Sequence, residues 1–448
     1  MSNNKGKDLY YQDLASSISS ELYKEIPAWL TSFREDSVAK FSTDGFPSLA
    51  DEQWRYTNIA QIEKSQFKLV TEPASLQLAD IQQYFLEGCD QLVFVDGFYQ
   101  QQLSSLSELP ANTLVMPISE ALAEQADLIE PYFGQSIKAN ADIHTPEGHG
   151  FKYFNSALFS DGVFVYLPKN AALAKPLQLV FIGAQDSALI NTRNVIVAKA
   201  GSKAVITETY HGLTDQAYLT NAITEVHVES NASLSHNRLQ TETEQAFHIG
   251  GVYSALDANA IYKQASYQFG AKLARVEVHA DLGTASDCEL NGLYIGHGEQ
   301  VLDNHTRLNH RMPHAISKEF YKGIMDDKSR GIFQGCIIVA EQAQKTDADM
   351  GNRNLLLSNK AEIDAKPQLE IYADDVKCAH GVTIGQLDEE SVFYLRTRGA
   401  DEQSARNMLT FAFANEMVER IELAPLKSRV LDELLQRFPQ QGMKKEWL

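Results

Sequence analysis

Two patterns of hydrophobic and polar positions divide this 448-residue chain. From Tyr11 to Phe41, apolar residues recur every three or four positions, which predicts helices, and Pro27 indicates a boundary between two of them. From about Phe151, polar and apolar residues alternate between turn-forming residues, which predicts a long series of strands. Amphipathic patterns return near Asp388. The N-terminal stripe consists of Leu14, Ile18, Leu22, Ile26, Leu30 and Phe33.

The predicted turns within the strand region recur at regular intervals. They fall at Gly201-Ser202, Asn231-Ala232, Asn259-Ala260 and Ser286-Asp287, about 27 to 30 residues apart. Such a period without sequence identity is typical of the coils of a β-solenoid, in which each coil buries its inner face only against its neighbours. The alternative is a large antiparallel β-sandwich, which the regular spacing and the length disfavour. The end of a solenoid exposes strand edges that must be covered or paired with another chain.

The pattern therefore predicts a mainly β protein with helices at both ends. The predicted domains are a mostly helical N-terminal domain with short strands (1–145), a solenoid core (146–387) and a C-terminal helical domain (388–448). Asp388 is placed to cap the first C-terminal helix and Gly399 to end it. A second helix begins near Asp401 and is expected to end at Pro425, before a third. Their apolar stripes either pack on the β body or present a surface to a partner.

Composition limits the classes of partner. The formal net charge of −20 argues against a general nucleic-acid binder and against an anionic membrane surface. The first residues lack the apolar run of a secretory signal, and no segment is long and apolar enough for a membrane-spanning helix. The expected compartment is the cytoplasm.

The motifs of several enzyme classes are missing from the sequence. There is no phosphate-binding loop or dinucleotide fingerprint, so the chain is not expected to hydrolyse ATP itself. There is no Gly-x-Ser-x-Gly nucleophile motif either. No Cys-x-x-Cys pair occurs among the four cysteines. Cys89, Cys288 and Cys336 are predicted to be buried as small hydrophobic residues.

A histidine-rich stretch runs from His297 to His314. If it forms a strand, Asp303 and His305 share one face, whereas His310 and His314 share the other. The separations fit no familiar ligand motif. These residues are therefore expected to lie on polar outer faces of the coils, with Met312-Pro313 at a turn.

The candidate site is the pair Cys378 and His380. Residues at i and i+2 of a strand point to one face, so the thiol and the imidazole project together. Sulfur with imidazole suits iron, copper or zinc, and two ligands make half of a metal site. A packed cysteine beside a surface histidine is the alternative that the residues alone leave open.

The run GIFQGCIIVAEQAQKTDADMGNRNLLLSNKAEIDAKPQLEIYADDVKCAHGVTIGQLDEESVFYLRTRG resembles the signature of the SufB/SufD family of iron–sulfur cluster assembly proteins. The resemblance is dense from Arg330 to Gly399 and continues more loosely through DNHTRLNHRMPHAISKEFYKGIMDD. The N-terminal DEQWRYTN resembles the SufD branch. SufB-type chains place acidic residues around a histidine where this chain has Cys378-Ala379-His380-Gly381, and they commonly carry an N-terminal cysteine cluster. Both differences favour the SufD branch.

The resemblance implies a right-handed parallel β-helix flanked by helical domains. It further implies pairing with SufB through the β-helix, binding of the ATPase SufC through the C-terminal helices, and sulfur supplied by the SufS/SufE cysteine desulfurase system. Such a chain is a co-scaffold without turnover of its own. No cofactor is expected to stay bound to the isolated chain. A transient iron or iron–sulfur cluster, and a reduced flavin, are expectations for the complex.

The resemblance places Cys378 and His380 at the SufB interface, where they are tentative metal ligands shared with SufB. His380 is favoured as the functional ligand because a thiol must first lose its proton. Alternatives are a SufB-type scaffold that carries the cluster itself and a homodimeric structural protein; an isolated chain is expected to pair with itself. The residues predicted to contact SufC are Met408, Phe411, Met417, Val418 and Leu434.

Overall fold

A computed structural model describes residues 9–17, 26–139 and 149–439. The predicted helical positions Ile18 and Leu22 lie outside these ranges. The helices are α1 (Leu9–Ser17), α2 (Ala28–Asp44), α3 (Ala60–Ser65), α4 (Leu78–Ile81), α5 (Ile118–Glu124), α6 (Ala126–Ile129), α7 (Gln135–Ala139), α8 (Gly150–Leu158), α9 (Glu389–Thr397), α10 (Glu402–Val418) and α11 (Ala424–Arg437). The first strands are β1 (Lys68–Leu69), β2 (Asp90–Val95), β3 (Phe98–Tyr99), β4 (Leu114–Pro117) and β5 (Val163–Leu167).

Fifteen longer strands follow in the described chain and make up the body of the protein. They are β6 (Leu177–Gly183), β7 (Ala188–Ala198), β8 (Lys203–Gly212), β9 (Leu219–Val228), β10 (Ser233–Thr241), β11 (Phe247–Leu256), β12 (Ile261–Gln268), β13 (Leu273–Leu282), β14 (Asp287–Gly296), β15 (Val301–His310), β16 (Ile316–Met325), β17 (Arg330–Val339), β18 (Asp347–Leu356), β19 (Glu362–Ile371) and β20 (Lys377–Gly385).

The chain alternates between two sheets. Sheet A contains the odd-numbered strands from β5 to β19, and sheet B contains the even-numbered strands from β6 to β20. Each strand pairs in parallel with the strand two further along, so two strands make one coil. This arrangement is a parallel β-solenoid. It confirms the predicted fold class and excludes the antiparallel sandwich.

The turns between the coils have a common backbone feature. Gly201, Asn231 and Asn259 have φ values of 72°, 60° and 57°, in the left-handed region. Glycine enters this region without a steric cost, and asparagine tolerates it better than most residues. The turn residues that recur along the sequence therefore mark the points at which the chain crosses from one sheet to the other.

Side chains on the inner faces of the two sheets form the main core. Leu234, Tyr262 and Cys288 stand beside one another on consecutive strands of sheet B, and all three are buried in this core. Parallel strands in register place equivalent positions about 4.8 Å apart, so the inner side chains stack in columns along the solenoid. Cys89 and Cys288 are buried as predicted, whereas Cys336 is half-buried.

Helices cover the outer faces of both sheets. Tyr11 of α1 and Phe41 of α2 belong to a buried aromatic cluster that also contains Leu219 and Phe247 from sheet A. At the other end of the chain, α10 and α11 pack on Leu293 and other side chains of sheet B. The solenoid is therefore shielded on both faces, but its last coil is not covered in the same way.

The predicted starts of α9 at Asp388 and of α10 near Asp401 are confirmed, and both residues cap their helices. The Asp388 carboxylate accepts a hydrogen bond from the Ser391 amide at 3.1 Å, and the Asp401 carboxylate accepts one from the Ser404 amide at 3.0 Å. Pro425 does not end α10, contrary to prediction. It lies in the first turn of α11, where a missing amide hydrogen costs nothing.

Strand β2 pairs with β6, so the N-terminal region adds a strand to sheet B. The domain limits at 145/146 and 387/388 stay predictions. No helix in the described part of the chain is long and apolar enough to cross a membrane.

Candidate functional site at the open end of the solenoid

Cys378 and His380 lie on β20, the last strand of sheet B. Cys378 stands beside Ala348 in the register, and His380 stands beside Met350. Because Ala348 and Met350 are buried in the main core, the thiol and the imidazole share the inner face of the last coil. The predicted common face is confirmed. Their role as metal ligands stays a prediction.

The last coil is much more exposed than the coils before it. Strand β14 is buried along nearly its whole length, whereas most residues of β20 are exposed or half-buried. His380 is exposed, and Cys378 is half-buried. Large hydrophobic side chains nearby are also exposed, namely Ile371, Tyr372, Ile384, Phe393 and Tyr394. An inner face and a sheet edge that lack a covering are the features expected of a strand-pairing surface.

The environment of Cys378 keeps its thiol protonated. Burial raises its pKa above the ordinary value, and the Asp347 carboxylate raises it further. The thiolate, not the thiol, binds metals, so Cys378 becomes a ligand only when a cation displaces its proton. A histidine ligand that binds through a neutral imidazole has no such requirement. The ranking of His380 above Cys378 stays a prediction.

A cavity of about 520 Å³ opens beside His380. Its walls come from strands β14, β16, β18 and β20 and from helix α10. Arg353 and Arg420 line it, and their guanidinium groups lie 5.2 and 4.7 Å from the centre of the Phe320 ring. Two glycines leave the main chain without side chains here: Gly351 on β18 stands beside Gly381 on β20.

Glu319 also lines this cavity and was not predicted from the sequence. Its neighbours in the register are Leu290 and Met350, both in the main core, so its side chain is on the inner face. Only 3% of Glu319 is exposed, and no cationic side chain among the described residues pairs with its carboxylate. Burial raises its pKa to about 8, against a smaller lowering effect of the Thr306 hydroxyl. The available signal was a charged residue at an inward position of the alternating segment ISKEFYKGIM.

Charged residues deeper inside the solenoid are paired instead. The Glu208 carboxylate accepts a hydrogen bond from Arg238 Nε at 3.2 Å and lies 2.8 Å from His236 Nε2. Burial alone would raise the pKa of Glu208, but the charge of Arg238 and the contact with His236 prevail and lower it to about 2. Glu208 is therefore a charged residue whose partners stabilise it inside the fold. It contrasts with Glu319, which has no cation beside it to offset its burial.

The histidine-rich stretch divides between the two faces of β15. Asp303 and His305 are on the outer face of sheet A as predicted, but they are buried beneath the N-terminal segment, where Arg275 Nη1 donates to Asp303 Oδ2 at 2.5 Å. His310 is not on an outer face. It is buried, with Nε2 2.8 Å from the Ser317 hydroxyl, so the prediction is wrong for this residue. The described residues contain no group of three or more His, Cys, Asp or Glu arranged to hold a metal ion.

The side chains predicted to contact the ATPase are mostly inside the fold. Phe411, Met417, Val418 and Leu434 are buried against sheet B, and Met408 is half-buried. An amphipathic helix at the end of a β body can bury its stripe on that body, and this is what α10 and α11 do. These four buried side chains are therefore not available to a partner in this fold. In the described part of this domain, the exposed large aromatic residues are Phe393 and Tyr394 on α9.

Comparisons with known proteins identify the family. The family model described as "SUF system FeS cluster assembly, SufBD core domain" matches residues 181–413, and the one described as "SufBD protein N-terminal region" matches residues 5–179. The chain therefore belongs to the SufBD family of SUF-system iron–sulfur cluster assembly proteins. The predicted resemblance is confirmed.

Individual relatives point to one branch of that family. The chain is 32% identical to "Iron-sulfur cluster assembly protein SufD" of Escherichia coli over 400 residues, which cover 88% of this chain and 90% of the relative. It is 31% identical to a SufBD family protein of Synechocystis over 92% of this chain and 94% of the relative. It is 26% identical to SufD of Bacillus subtilis over 92% of this chain and 94% of the relative. These relatives agree with the SufD branch.

Proposed function

We propose that this chain is the SufD-like subunit of a SUF iron–sulfur cluster assembly complex, acting as a co-scaffold beside SufB. The observation that carries the proposal is the open last coil. It presents Cys378 and His380 on its inner face, where a second solenoid would place its own inner side chains. Membership of the family supports this role, and the open last coil supports this end of the solenoid as the proposed place of contact.

The edge of each sheet supports pairing with another chain. Strands β19 and β20 are the last of sheets A and B, and in the described chain each is paired on one side only. Unpaired amide and carbonyl groups on an edge strand accept another strand readily. SufB is the proposed partner of this edge. When the chain is isolated, the same edge is expected to pair with a second copy, which gives a homodimer.

The cargo of this site is iron or a nascent iron–sulfur cluster. Cys378 and His380 supply two ligands, and SufB would supply the others, so the cluster is held only in the complex. The sulfur would come from the SufS/SufE system. A reduced flavin belongs to the proposal only as a component of the complex. In this proposal the chain alone binds no cofactor stably and has no turnover of its own. The proposed compartment of the complex is the cytoplasm.

The ATPase activity of the complex is assigned to SufC. This chain lacks a phosphate-binding loop, so the energy of ATP hydrolysis must enter through a partner. The proposed docking surface is the C-terminal domain. Its candidate contacts are now Phe393 and Tyr394 of α9, which are 67% and 57% exposed, instead of the buried side chains of α10 and α11.

Co-purification tests this proposal. The full chain would be expressed with tagged SufB and with SufC from the same organism. We expect an equimolar assembly of this chain with SufB, joined by SufC. An assembly of SufB and SufC that forms fully in the presence of this chain but leaves it unbound would overturn the proposal.

A further inference from the structure

A cavity of about 170 Å³ lies on the outer face of sheet A, on the opposite side of that sheet from the core. Its floor is formed by strands β13, β15, β17 and β19, and its roof by Glu52 and Gln53. The floor side chains alternate with the core residues Leu308 and Ile337, so they face outwards. This sheet A cavity is lined by His279, His305, Arg307, Gln334, Cys336 and Gln368. It is smaller than the roughly 300–1,000 Å³ of sites for drug-sized molecules, so its ligand must be small.

The roof of the sheet A cavity is attached to its floor by polar contacts. Arg275 Nη1 donates to the main-chain oxygen of Gln53 at 3.0 Å, and the Lys366 ammonium donates to the Glu52 carboxylate. The first contact comes from β13 and the second from β19, at opposite sides of the floor. The cavity is therefore a fixed part of the fold, built where the N-terminal region crosses sheet A.

Two buried side chains of the sheet A cavity have polar atoms without a partner. Gln334 and His279 are each only 8% exposed, and Gln334 Nε2 and His279 Nδ1 have no hydrogen-bond partner among the described residues. Burial and the charge of Lys152 hold the pKa of His279 well below its ordinary value, so its ring is neutral at pH 7. A buried polar atom without a hydrogen bond costs about 1–3 kcal/mol. A ligand in the cavity would remove this cost at both side chains.

Cys336 lies in the middle of the cavity floor. It stands between Arg307 on β15 and Gln368 on β19 in the register, with about 4.8 Å between neighbouring strands. Arg307 Nε donates to Asn309 Oδ1 at 2.9 Å, which fixes the guanidinium group on this face. Reactive cysteines typically occupy partly exposed positions beside cations, because a cation stabilises the thiolate. Cys336 is half-buried and borders a cavity, so a small reagent can reach its sulfur.

The charges of the sheet A cavity favour a ligand that carries both signs. Two cationic side chains and two carboxylates line it, namely Arg307, Lys366, Glu52 and Glu370. Lys366 and Glu52 already form an ion pair, which leaves Arg307 and Glu370 to face a ligand. A zwitterion can place its carboxylate near Arg307 and its ammonium group near Glu370. A simple anion or a simple cation would meet a like charge in the same cavity.

We propose that Cys336 is a modification site that forms a mixed disulfide with a small amino-acid disulfide, cystine. The carboxylate of the bound half contacts Arg307 and Gln334, and its ammonium group faces Glu370. The Cys336 thiol loses its proton to water, and its thiolate attacks the nearer sulfur of cystine. A new S–S bond forms as the S–S bond of cystine breaks, and the other half leaves as a cysteine thiolate that takes a proton from water. Cys336 is oxidised and the leaving half is reduced, so cystine is the oxidant.

Reaction of the reduced full-length chain with cystine, followed by peptide mass spectrometry, tests this site. Cys378 is the internal reference, because it is also half-buried but lies outside the sheet A cavity. With cystine, Cys336 is expected to react at least tenfold faster than Cys378. Cystamine is the same disulfide without carboxylates, and it should lower this ratio of rates at least fivefold. Because both cysteines are followed in one sample, the ratio cancels the intrinsic reactivity of each reagent.

A variant tests the recognition of the carboxylate. Gln334→Met keeps the length of the side chain but removes its amide, so we expect it to slow the reaction of Cys336 with cystine about tenfold. The reaction of this variant with cystamine should stay close to that of wild type. The matched control is Gln61→Met, which makes the same change at an exposed position of α3 and should leave both reactions unchanged. Thermal unfolding shows whether each variant is folded.

Reaction of Cys336 with cystine no faster than that of Cys378 would overturn the inference. Equal ratios of rates with cystine and cystamine would also overturn it, as would a folded Gln334→Met variant that reacts with cystine like wild type. The comparison of the two reagents uses wild-type protein alone, so it decides the matter even if the variant does not fold. The inference is independent of the proposed function, because the isolated chain is tested and no SUF partner takes part.

Discussion

The guanidinium carbon of Arg275 lies 3.8 Å from the centre of the Trp54 ring. Arg275 comes from the outer face of sheet A, and Trp54 comes from the DEQWRYTN segment far earlier in the chain. Both are buried, and the Trp54 ring also stacks on Phe151 at 5.5 Å. This contact fixes the N-terminal region to the solenoid.

Replacing the indole should therefore loosen the N-terminal region. We expect Trp54→Ala to lower the free energy of unfolding by about 3–5 kcal/mol, because it leaves a large cavity and removes the ring beside a buried cation. Urea unfolding measures the change. Trp54→Phe keeps an aromatic ring and should cost clearly less; equal losses in the two variants would contradict this role of the ring face.

The inner pair of Glu208 and Arg238 predicts a dependence of stability on pH. The pKa of Glu208 is lowered from 4.5 to about 2, so its contribution is present above about pH 4.5 and is lost as the pH falls towards 2. Glu208→Gln should cost about 3–5 kcal/mol at pH 7, because Arg238 stays buried without its counter-charge. The difference from wild type should shrink at pH 3.

Urea unfolding of both proteins at pH 7 and pH 3 checks this sign. The control is Glu299→Gln, which breaks an exposed pair with Lys328 and should change stability very little at either pH. A gap between Glu208→Gln and wild type that widens on acidification would show that the pair does not act as described.

The two residues of the candidate site should differ in importance. We expect His380→Ala to reduce cluster formation by the complex at least tenfold, and Cys378→Ala to reduce it much less. The physical reason is that burial raises the pKa of the Cys378 thiol, whereas a neutral imidazole is ready to bind metal. Cluster formation is measured by absorption after anaerobic reconstitution. Full cluster formation by the His380→Ala complex would contradict this ranking.

The open inner face should be sensitive to charge. Ile384 on β20 is 47% exposed and stands beside Asn354, which is on the inner face, so a partner solenoid would cover it. Ile384→Lys is expected to raise the dissociation constant of the homodimer at least tenfold, as measured by sedimentation, and to weaken binding to SufB. Ile316→Lys is the matched control, because Ile316 is 38% exposed on an earlier strand. If both variants dimerise like wild type, this edge is not the interface.

Helix α9 provides a separate test of the partner surface. Phe393 is 67% exposed and is not among the buried residues of α9, so Phe393→Asp should change thermal stability very little. We expect it to weaken capture of SufC in a pull-down assay at least tenfold. Gln403→Asp adds the same charge at an exposed position of α10 and should not. Normal capture of SufC by Phe393→Asp would remove α9 from the proposed surface.

Several features of the fold could be predicted from short stretches of sequence. The turn residues at Gly201, Asn231 and Asn259 indicated the solenoid because a left-handed backbone restricts the choice of residue. Asp388 and Asp401 marked helix starts because a carboxylate satisfies free amides of the first turn. In each case a single residue or turn carries the structural requirement.

The faces of the strands were harder to predict. Alternation placed Cys378 and His380 together, since a strand repeats every two residues. It did not show that His310 and Glu319 point inwards, because both faces of a covered solenoid are buried and polar residues occur on each. The side chains of α10 and α11 were assigned to a partner for a similar reason, since an apolar stripe does not specify what covers it.

The sequence by itself determined the local elements: strands of regular length, the turns between them, the caps of the C-terminal helices and the family signature around Cys378. The tertiary structure decided which faces meet, which buried carboxylate lacks a cation beside it and which coil stays open. These outcomes depend on side chains from distant segments, such as Arg275 against Trp54 or Met350 against Gly335. A two-residue period defines two faces, and only stacking against other coils selects the one that becomes the core.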